Sequence, residues 1–428
     1  MVRRLVGRFR RRTLGGLASS GSGAAAEVAT RRVLSHRDRT GNVPVHVVWE
    51  LTLACNLKCR HCGSRAGHQR AGELTTAECV DVIRQLAQLG TREISLIGGE
   101  AFIRKDWLTI IGAVRAAGID CSMQSGAYKL SPEMIADAAA AGLQGLGISI
   151  DGPEQLHDRL RGVPGAYTAA MRALEAASQA GLAVSVNTQI TAPAMPHLRD
   201  LMAAIIAAGA RYWQLQLTVA MGNAVDHHEL LLQPFALASL MPLIAKLHRK
   251  ARRQGLSLLP GNNIGYFGPY DPLWRGQSYA YAGCAAGSNV MGLEADGTVK
   301  GCPSLPTARY TGGNVRDASL SQLWASSAAL AFNRERDVDH LWGFCRECRF
   351  AASCRGGCSW TADALLGRRG NNPYCHHRVL TLARRGIRER VVKVADAPDA
   401  PFATGRFKLV EEPIPPAELR QLRLSPPD

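Results

Sequence analysis

Three cysteines within a single short stretch constrain this chain more than any other feature. Residues 53–63 read Leu-Ala-Cys-Asn-Leu-Lys-Cys-Arg-His-Cys-Gly, which places Cys55, Cys59 and Cys62 at the spacing Cys-x3-Cys-x2-Cys. Cysteine thiolates are the usual ligands of iron–sulfur clusters, and a [4Fe–4S] cube needs four of them. Three thiolates on one loop would leave one iron open to a small chelating ligand. Zinc normally takes a closed set of four ligands, so zinc and unligated thiols remain the alternatives.

In this stretch the chain resembles the radical S-adenosylmethionine (SAM) enzymes, whose signature is the spacing of Cys55, Cys59 and Cys62. The resemblance implies that the amino and carboxylate groups of SAM chelate the open iron. It also implies that an electron from the cluster cleaves SAM to methionine and a 5′-deoxyadenosyl radical, which abstracts hydrogen from a substrate. His61 stands where the family usually carries an aromatic residue.

The length and composition indicate a protein of two domains with additional tails. The chain has 428 residues, of which 46% are hydrophobic and 20% charged, as in ordinary soluble proteins. Ten of the twelve cysteines lie within residues 55–62 and 284–375, and only Cys79 and Cys121 lie outside, where we expect buried thiols. Such grouping favours metal ligands in a reducing compartment over disulfides. We therefore expect a cytoplasmic protein, and no membrane contact, because no stretch reads as a membrane span.

The net charge of +16 is concentrated near the start of the chain. Residues 1–40 contain ten arginines against two acidic residues, which accounts for half of the net charge. This segment is rich in Gly, Ala and Ser and lacks a continuous apolar run, so we predict a disordered, basic tail over residues 1–43 and no signal peptide. The basic charge leaves open a non-catalytic iron–sulfur or zinc protein that binds nucleic acid. No recognition motif supports that alternative.

Strand-like and helix-like segments alternate over residues 44–235, which predicts an α/β fold with a parallel sheet. The predicted strands are 46–53, 93–97, 119–124, 145–150, 182–190 and 212–217. Residues Thr75 to Glu78 form a capping-box pattern at the start of the first helix. Six βα units predict a partial (β/α)6, TIM-like barrel, with chemistry at the carboxyl ends of the strands. The radical SAM resemblance implies the same fold.

Gly98, Gly99 and Glu100 end the second predicted strand. Placed one βα unit after the cysteines, they resemble the family's GGE motif, which receives the amino group of SAM. Glycine suits such a place because a ligand can approach the main chain closely. An ordinary turn with a capping glutamate is the alternative.

Four further residues are candidate SAM contacts. Ser149 and Asp151 end the fourth strand and offer a hydroxyl and a carboxylate to the ribose or methionine of SAM, although Asp-Gly-Pro is also a normal turn. Asn187 resembles a position that often contacts SAM in the family. Arg172 could pair with the SAM carboxylate, or it could be a solvated helix residue.

A second group of cysteines follows after a helical and loop linker, predicted over residues 236–280. It resembles, spacing by spacing, the SPASM extension of radical SAM enzymes, predicted here over residues 281–390 and followed by an extension over 391–428. The resemblance implies two auxiliary [4Fe–4S] clusters, the first held by Cys284, Cys302 and Cys358 and the second by Cys345, Cys348, Cys354 and Cys375. A zinc ribbon over residues 345–375 is the alternative.

Two departures from the family pattern affect what this chain can do. Members with a fully ligated first auxiliary cluster carry one more cysteine shortly before Cys284, whereas residues 274–283 contain none. The first auxiliary cluster is therefore expected to have an open iron or a non-cysteine ligand. Pro303 stands where sulfatase-maturing members carry an aspartate base, which argues against formylglycine formation by that route.

The resemblance implies an enzyme that cleaves SAM and modifies a peptide or protein, as in the maturation of ribosomal peptides, by crosslinking or oxidation. The alternative is the same radical chemistry on a small molecule or a tetrapyrrole precursor. Expected partners are a peptide or protein substrate and an electron donor such as a flavodoxin or ferredoxin. No general base is assigned from the sequence.

Overall fold

The fold is described from a computed structural model covering residues 34–275, 281 and 283–421. Most of the predicted disordered tail, residues 1–33, lies outside the described residues. The remainder of that tail is ordered, because the short helix α1 (His36–Thr40) is capped by Ser35. Asp38 of α1 pairs with Arg92 at 2.7 Å, which fixes this segment against the body of the protein.

Strands and helices alternate along the first 260 residues. Their order is β1 (His46–Thr52), α2 (Thr76–Gln88), β2 (Glu93–Gly98), α3 (Trp107–Ala116), β3 (Asp120–Ser125), α4 (Pro132–Ala140), β4 (Gly145–Ser149), α5 (Glu154–Arg161), α6 (Ala166–Gln179), β5 (Ala183–Ile190), α7 (Leu198–Ala207), β6 (Tyr212–Leu217), α8 (Asn223–Asp226), α9 (Leu237–Arg253) and β7 (Ser257–Pro260). The predicted capping box at Thr75 and Glu78 is present at the start of α2. All six predicted strands are present, with ends within about two residues of the prediction.

Shorter elements make up the remainder of the chain. They are α10 (Asp271–Arg275), β8 (Val290–Leu293), β9 (Thr298–Lys300), α11 (Thr307–Tyr310), β10 (Thr311–Asn314), α12 (Leu320–Ser326), α13 (Ala328–Ala331), α14 (Ala351–Cys354), α15 (Ser359–Leu366), α16 (His376–Arg384), β11 (Ile387–Ala395), β12 (Arg406–Pro413) and α17 (Pro416–Gln421). Strands β11 and β12 form a separate antiparallel hairpin.

One sheet runs through both halves of the molecule, in the order β10-β9-β8-β1-β2-β3-β4-β5-β6-β7. Strands β1 to β7 are parallel neighbours, and β8 pairs in parallel with β1. The sheet has two ends, so it is an open barrel, and the predicted α/β fold is confirmed. The sequence prediction missed β7 and β8, each only four residues long, and these extend the sheet beyond the six predicted strands.

The strands bury apolar side chains on one side and keep polar ones on the other. Along β5, buried residues alternate with half-buried ones, and Asn187 belongs to the half-buried series. Trp213 of β6 is fully buried and donates its indole N–H to Thr188 Oγ1 at 2.9 Å. Cys79 and Cys121 are buried in this core, as predicted.

Helix α9 is the C-terminal part of a longer apolar stretch. The stretch His228–Arg253 is long and apolar enough to cross a membrane by length and composition alone. More than half of its apolar window is buried inside the protein, and Leu240 and Ile244 of α9 are fully buried in the core. Core helices of soluble proteins pass the same test.

A buried group of charges joins the barrel to the cysteine-rich half. Arg70 lies 2.5 Å from Glu50 of β1 and 3.4 Å from Glu294, which follows β8. Lys300 of β9 is fully buried, lies 2.7 Å from Glu294 and sits over the ring of Phe402. Buried charges that are paired in this way resist separation of the two halves, because each would otherwise be left uncompensated.

Candidate functional site

The loop that follows β1 carries Cys55, Cys59 and Cys62, and all three side chains are half-buried. The Cys62 amide donates to the Cys59 carbonyl at 3.2 Å, which makes the loop a tight turn. Burial and the nearby Cys62 and Cys55 thiols, against the opposing effect of Arg161, raise the pKa of Cys59 to about 12. Because a metal centre binds thiolates, its binding here would release the thiol protons. We call residues 55–62 the cysteine loop.

A buried network of charged and polar side chains packs against the cysteine loop and supports it. Arg161, at the end of α5, lies 2.7 Å from Asp151 Oδ2, and His61 of the loop lies 3.2 Å from the same oxygen. The second Arg161 amino group points at Cys59 Sγ at 3.7 Å. Burial alone would raise the pKa of Asp151, but Arg161 and His61 outweigh it and hold that pKa well below its usual value. The main-chain carbonyl of Arg161 also accepts from the amide of Lys58 at 3.0 Å.

The segment after β6 holds the other side of the cysteine loop. Asn223 donates its side-chain amide to the Cys59 carbonyl and its main-chain amide to the Cys62 carbonyl, both at 2.9 Å. Arg65 in turn donates to Asn223 Oδ1 at 2.8 Å and pairs with Asp226 at 2.6 Å. The loop after β1 is therefore fixed by the carboxyl-end loops of β4 and β6, which is where the barrel fold places chemistry. Sequence reasoning missed Arg161 and Asn223, since neither lies in a recognisable motif.

Gly98 and Gly99 are required by a close main-chain approach within the protein. A Cβ atom on Gly98 would lie 2.0 Å from the Thr52 carbonyl oxygen, and one on Gly99 would lie 2.0 Å from the Ala54 carbonyl oxygen. The Gly99 and Glu100 amides donate to those two carbonyls at 2.9 and 2.8 Å. The sequence argument attributed these glycines to an approaching ligand, whereas in the structure the main chain at the entry to the cysteine loop already requires them.

The Glu100 side chain is buried at the carboxyl end of β2. Its carboxylate accepts from the Ser125 hydroxyl at 2.5 Å and from the Gly126 amide at 2.7 Å. Burial raises the pKa of Glu100 to about 7, although these two hydrogen bonds lower it. Glu100 therefore fixes the end of β3 relative to β2, and a contact with the amino group of SAM stays a prediction.

The other predicted SAM contacts lie in different surroundings. Asn187 Nδ2 donates to Gln124 Oε1. This hydrogen bond passes over Gly147, and a Cβ atom on Gly147 would lie 1.9 Å from Gln124 Oε1. Ser149 is half-buried and in register with Asn187. Both residues face the polar side of the sheet near its carboxyl end, and their contact with SAM stays a prediction.

The last two predicted contacts, Asp151 and Arg172, also lie in different surroundings, and their contact with SAM stays a prediction. Asp151 is fully buried, and its carboxylate is taken up by Arg161, His61 and the Gln189 amide, so it supports the cysteine loop. Arg172 has an exposed side chain on α6, whose buried face packs on β4 and β5. Arg161 is the arginine that reaches the site. Sequence spacing could not show which of Arg161 and Arg172 reaches the site, because the direction in which each side chain points depends on how its helix packs.

A cavity of about 420 Å³ opens beside the cysteine loop. It is lined by Cys55, Asn56, Leu57, Lys58, Ala66, Gly67, His68 and Asn223. Three thiols on a loop next to a cavity with amide and cationic side chains in its wall fit a cluster that carries an additional small polar ligand. The donor set therefore agrees with the chemistry that the spacing predicts.

The four cysteines assigned by resemblance to the second auxiliary cluster line one cavity. Its wall contains Cys345, Cys348, Cys354 and Cys375 together with Phe267, Phe344, Phe350, Ala351, Gly356 and His377. The rings of Phe267 and Phe350 stack with centroids 4.3 Å apart. We call these four cysteines and the three phenylalanines the aromatic cage.

The remaining three cysteines form a separate group, which we call the first auxiliary set: Cys284, Cys302 and Cys358. Burial, together with the adjacent Cys284 and Cys358 thiols, raises the pKa of Cys302 to about 12. Cys284 and Cys302 pack in one apolar cluster with Trp360 and Phe332, whereas Cys358 packs with Cys354 in a neighbouring cluster. The division of the seven cysteines into three and four, expected from the resemblance, stays a prediction.

Within residues 34–275, 281 and 283–421, no three His, Cys, Asp or Glu side chains converge closely enough to hold a single metal ion. A zinc ribbon requires four ligands around one ion, about 2.3 Å from each sulfur. The zinc-ribbon alternative for residues 345–375 therefore has no preformed single-ion site within these described residues.

The fold and these three cysteine groups define an open α/β barrel protein with iron–sulfur chemistry. A sequence profile of the radical SAM superfamily matches residues 49–203, and a profile of an iron–sulfur cluster-binding domain, SPASM, matches residues 284–349. The chain belongs to the radical SAM superfamily and carries a SPASM domain. Its cofactors are therefore SAM and [4Fe–4S] clusters, as the sequence resemblance predicted.

The curated relatives of this chain have more than one activity. The chain is 31% identical over 336 residues to the mycofactocin maturase MftC of Mycobacterium ulcerans, covering 77% of this chain and 87% of that protein. It is 29% identical over 355 residues to the AdoMet-dependent heme synthase of Oleidesulfovibrio alaskensis, covering 78% and 87%. These similarities establish a radical SAM enzyme without deciding the substrate.

Among solved structures, the chain resembles SuiB of Streptococcus suis bound to S-adenosylmethionine. The TM-score is 0.62 at 16% identity, and the match covers 82% of this chain and 79% of SuiB. SuiB has also been solved bound to its precursor peptide SuiA. At this level of identity the likeness concerns the fold.

Proposed function

We propose that this enzyme uses three iron–sulfur clusters to modify an unactivated carbon of a peptide or protein substrate. The cysteine loop would hold the SAM-binding cluster through Cys55, Cys59 and Cys62. The first auxiliary set would hold one auxiliary cluster, and the four cysteines of the aromatic cage the other. When bound, these cofactors supply a 5′-deoxyadenosyl radical that removes hydrogen from the substrate, and auxiliary clusters that accept the electron released when a crosslink or double bond forms.

The residues around the cysteine loop position and shield this chemistry. The guanidinium of Arg161 offsets the negative charge that three thiolates would place at the loop, and Asp151 keeps that guanidinium in position. Asn223 ties the loop to the carboxyl end of β6 through two main-chain carbonyls, so the cavity wall keeps its shape. Lys58 and Asn56 give the cavity a cation and an amide that suit a carboxylate or a ribose.

The observation that favours a peptide over a tetrapyrrole is the position of His61. The tetrapyrrole alternative drew on His61, because some relatives with histidine at this position act on porphyrins. In the structure His61 is only 2% exposed and lies 3.2 Å from the buried Asp151. It is therefore engaged in supporting the loop and does not offer its ring to a substrate.

Two similarities support the peptide proposal. SuiB shares this fold over most of both chains and was solved with a precursor peptide, and the maturase MftC matches 77% of this chain. The 29% identity to a heme synthase is what keeps the tetrapyrrole as a second candidate. We also propose a small electron-transfer protein, a flavodoxin or ferredoxin, as the reductant.

The test compares two substrate classes with the same reconstituted enzyme under anaerobic conditions. With SAM and dithionite, short peptides encoded next to the enzyme's gene are expected to stimulate deoxyadenosine release and to lose hydrogen, measured by mass spectrometry. An iron porphyrin carrying propionate groups is expected to remain unchanged. Decarboxylation of the porphyrin, with every peptide unchanged, would establish the tetrapyrrole reaction instead.

A further inference from the structure

The first auxiliary set has three cysteines where the aromatic cage has four. A [4Fe–4S] cube has four irons, so one iron of the first auxiliary cluster lacks a cysteine. Tyr281 lies three residues before Cys284 and is 5% exposed. Its hydroxyl is buried and has no hydrogen-bond partner among the residues that the structure describes. A buried polar group without a partner costs about 1–3 kcal/mol, so the hydroxyl is expected to have a ligand or a partner in the working enzyme.

Tyr281 packs beside cysteines that are assigned to the auxiliary clusters. It packs with Tyr266, Cys354 and Cys358 in one apolar cluster. Burial raises the pKa of Tyr281 well above its usual value, and the nearby thiols raise it further, Cys284 most strongly. Tyr281 therefore lies next to Cys358 of the cysteine set that is short of a ligand.

The other tyrosines nearby have hydroxyls that are already engaged. Tyr266 donates to the Asn262 carbonyl and accepts from the Cys358 amide at 3.1 Å. Tyr310, which packs in the same apolar cluster as Cys284 and Cys302, donates to Asp363 at 2.7 Å. Of these three, only Tyr281 presents an oxygen without a hydrogen-bond partner among the residues that the structure describes.

One half-buried and one buried arginine lie near Tyr281 and favour an anionic oxygen there. The Arg275 guanidinium lies over the Tyr281 ring, 4.9 Å from its centroid. Arg336 is 4% exposed, has Cys284 and Tyr281 among its charged neighbours, and keeps one amino group without a hydrogen-bond partner in the described part of the chain. A cluster with three thiolates and one phenolate would carry negative charge that these guanidinium groups offset.

We propose that the phenol oxygen of Tyr281 is the fourth protein ligand of the cluster held by Cys284, Cys302 and Cys358. The phenol gives up its proton to solvent when the iron–oxygen bond forms, and no electron is transferred. Tyrosinate is already known as an iron ligand in haem proteins. The inference rests on the proposed ligand sets but not on the identity of the substrate.

The experiment uses the full chain with Cys55, Cys59 and Cys62 all changed to Ala, which removes the SAM-binding cluster and its open iron. Roughly eight irons per chain would show that both auxiliary clusters assemble. Resonance Raman spectra are expected to show iron-bound phenolate vibrations. Added cyanide, which binds an iron that lacks a protein ligand, is expected to leave the electron paramagnetic resonance spectrum of the reduced protein unchanged.

Adding Tyr281→Phe to this protein is expected to abolish the phenolate vibrations, retain the iron and create a cyanide-dependent spectrum. Tyr310→Phe is the matched control, because it removes a hydroxyl beside the same cysteines that Asp363 already engages, and it should change neither readout. Absence of phenolate vibrations before Tyr281 is changed, or cyanide binding at that stage, overturns the inference. This holds even if Tyr281→Phe fails to assemble. Roughly four irons would contradict the ligand sets themselves.

Discussion

The cysteine loop and the aromatic cage hold their cysteines by opposite means. The loop depends on charged and polar groups that come from distant parts of the chain, chiefly Arg161, Asp151 and Asn223. The cage surrounds its thiols with aromatic rings, among them the stacked pair Phe267 and Phe350. The loop lies beside a cavity of about 420 Å³ with both polar and apolar groups in its wall, whereas the cage presents almost only apolar groups to its centre.

This difference corresponds to what each site has to do. A cluster that binds SAM must remain accessible to a charged ligand, so its supports are polar and lie behind the thiols. A cluster that only transfers electrons benefits from the exclusion of water, because solvent exposure changes its potential and its stability. We therefore expect the two sites to respond differently to the same kind of substitution.

The largest expected effect is the loss of one cluster, with different consequences for SAM cleavage at the two sites. Changing Cys55, Cys59 and Cys62 to Ala should remove about four of roughly twelve irons and all deoxyadenosine release from SAM and reductant. Changing Cys345 and Cys348 to Ala should remove a similar amount of iron from the cage but leave deoxyadenosine release measurable. Iron analysis and chromatography of deoxyadenosine check both. Loss of SAM cleavage in both variants would show that the sites are not independent.

A substitution at Arg161 should affect the cysteine loop alone. Arg161→Met leaves the buried Asp151 carboxylate without its strongest partner, so we expect a loss of about 3–5 kcal/mol of unfolding free energy. Denaturant unfolding measures it, and deoxyadenosine release should fall as the loop loses its cluster. Arg172→Met, on an exposed helix face, is the matched control and should stay within about 0.5 kcal/mol of the wild type. Equal effects of the two substitutions would contradict the network.

A substitution in the aromatic cage should have a smaller and kinetic effect. Phe350→Leu removes the stacking contact with Phe267, which is worth about 1 kcal/mol. Iron in the cage is then expected to be lost about fivefold faster in air. The loss is followed by the decay of the cluster absorbance, with deoxyadenosine release before exposure to air as the internal control. An unchanged decay rate would mean that the rings do not protect the cluster.

The smallest effect concerns a surface contact between the two halves. Arg316 pairs with Glu78 at 2.6 Å and, together with the Thr75 cap, lowers the pKa of Glu78 to about 2. A lowered pKa stabilises the fold fully above the unfolded pKa, and this stabilisation is lost as the pH falls toward 2. Because the pair is exposed, Glu78→Gln should cost less than about 1 kcal/mol at pH 7, and less in high salt. Urea unfolding at several salt concentrations measures this, and a cost that is independent of salt would contradict it.

The sequence predicted those features that depend on residues close together in the chain. The spacing of Cys55, Cys59 and Cys62 follows from a single loop, and alternation of apolar residues located six strands. The capping box at Thr75 was recognisable for the same reason. Strand β7 was missed because four residues carry too little periodicity to be distinguished from a loop.

The site was harder to predict, because the decisive contacts join residues that are distant in sequence. Arg161 meets Cys59, which lies about a hundred residues earlier, and Asn223 meets it from still further along the chain. Gly98 and Gly99 were correctly singled out, but the close approach that they permit is to Thr52 and Ala54 within the protein. In each case the residue type was visible in the sequence, and its partner was not.

By itself, the sequence determined the barrel class through its alternating segments, and the cofactors through its resemblance to a family with the same cysteine spacing. Only the tertiary structure decided that Arg161 supports the cysteine loop, that His61 is buried against Asp151, and that the Tyr281 hydroxyl has no hydrogen-bond partner among the described residues. The physical reason is that burial and pairing depend on how helices and loops pack against one another. Spacing along a chain does not specify that packing.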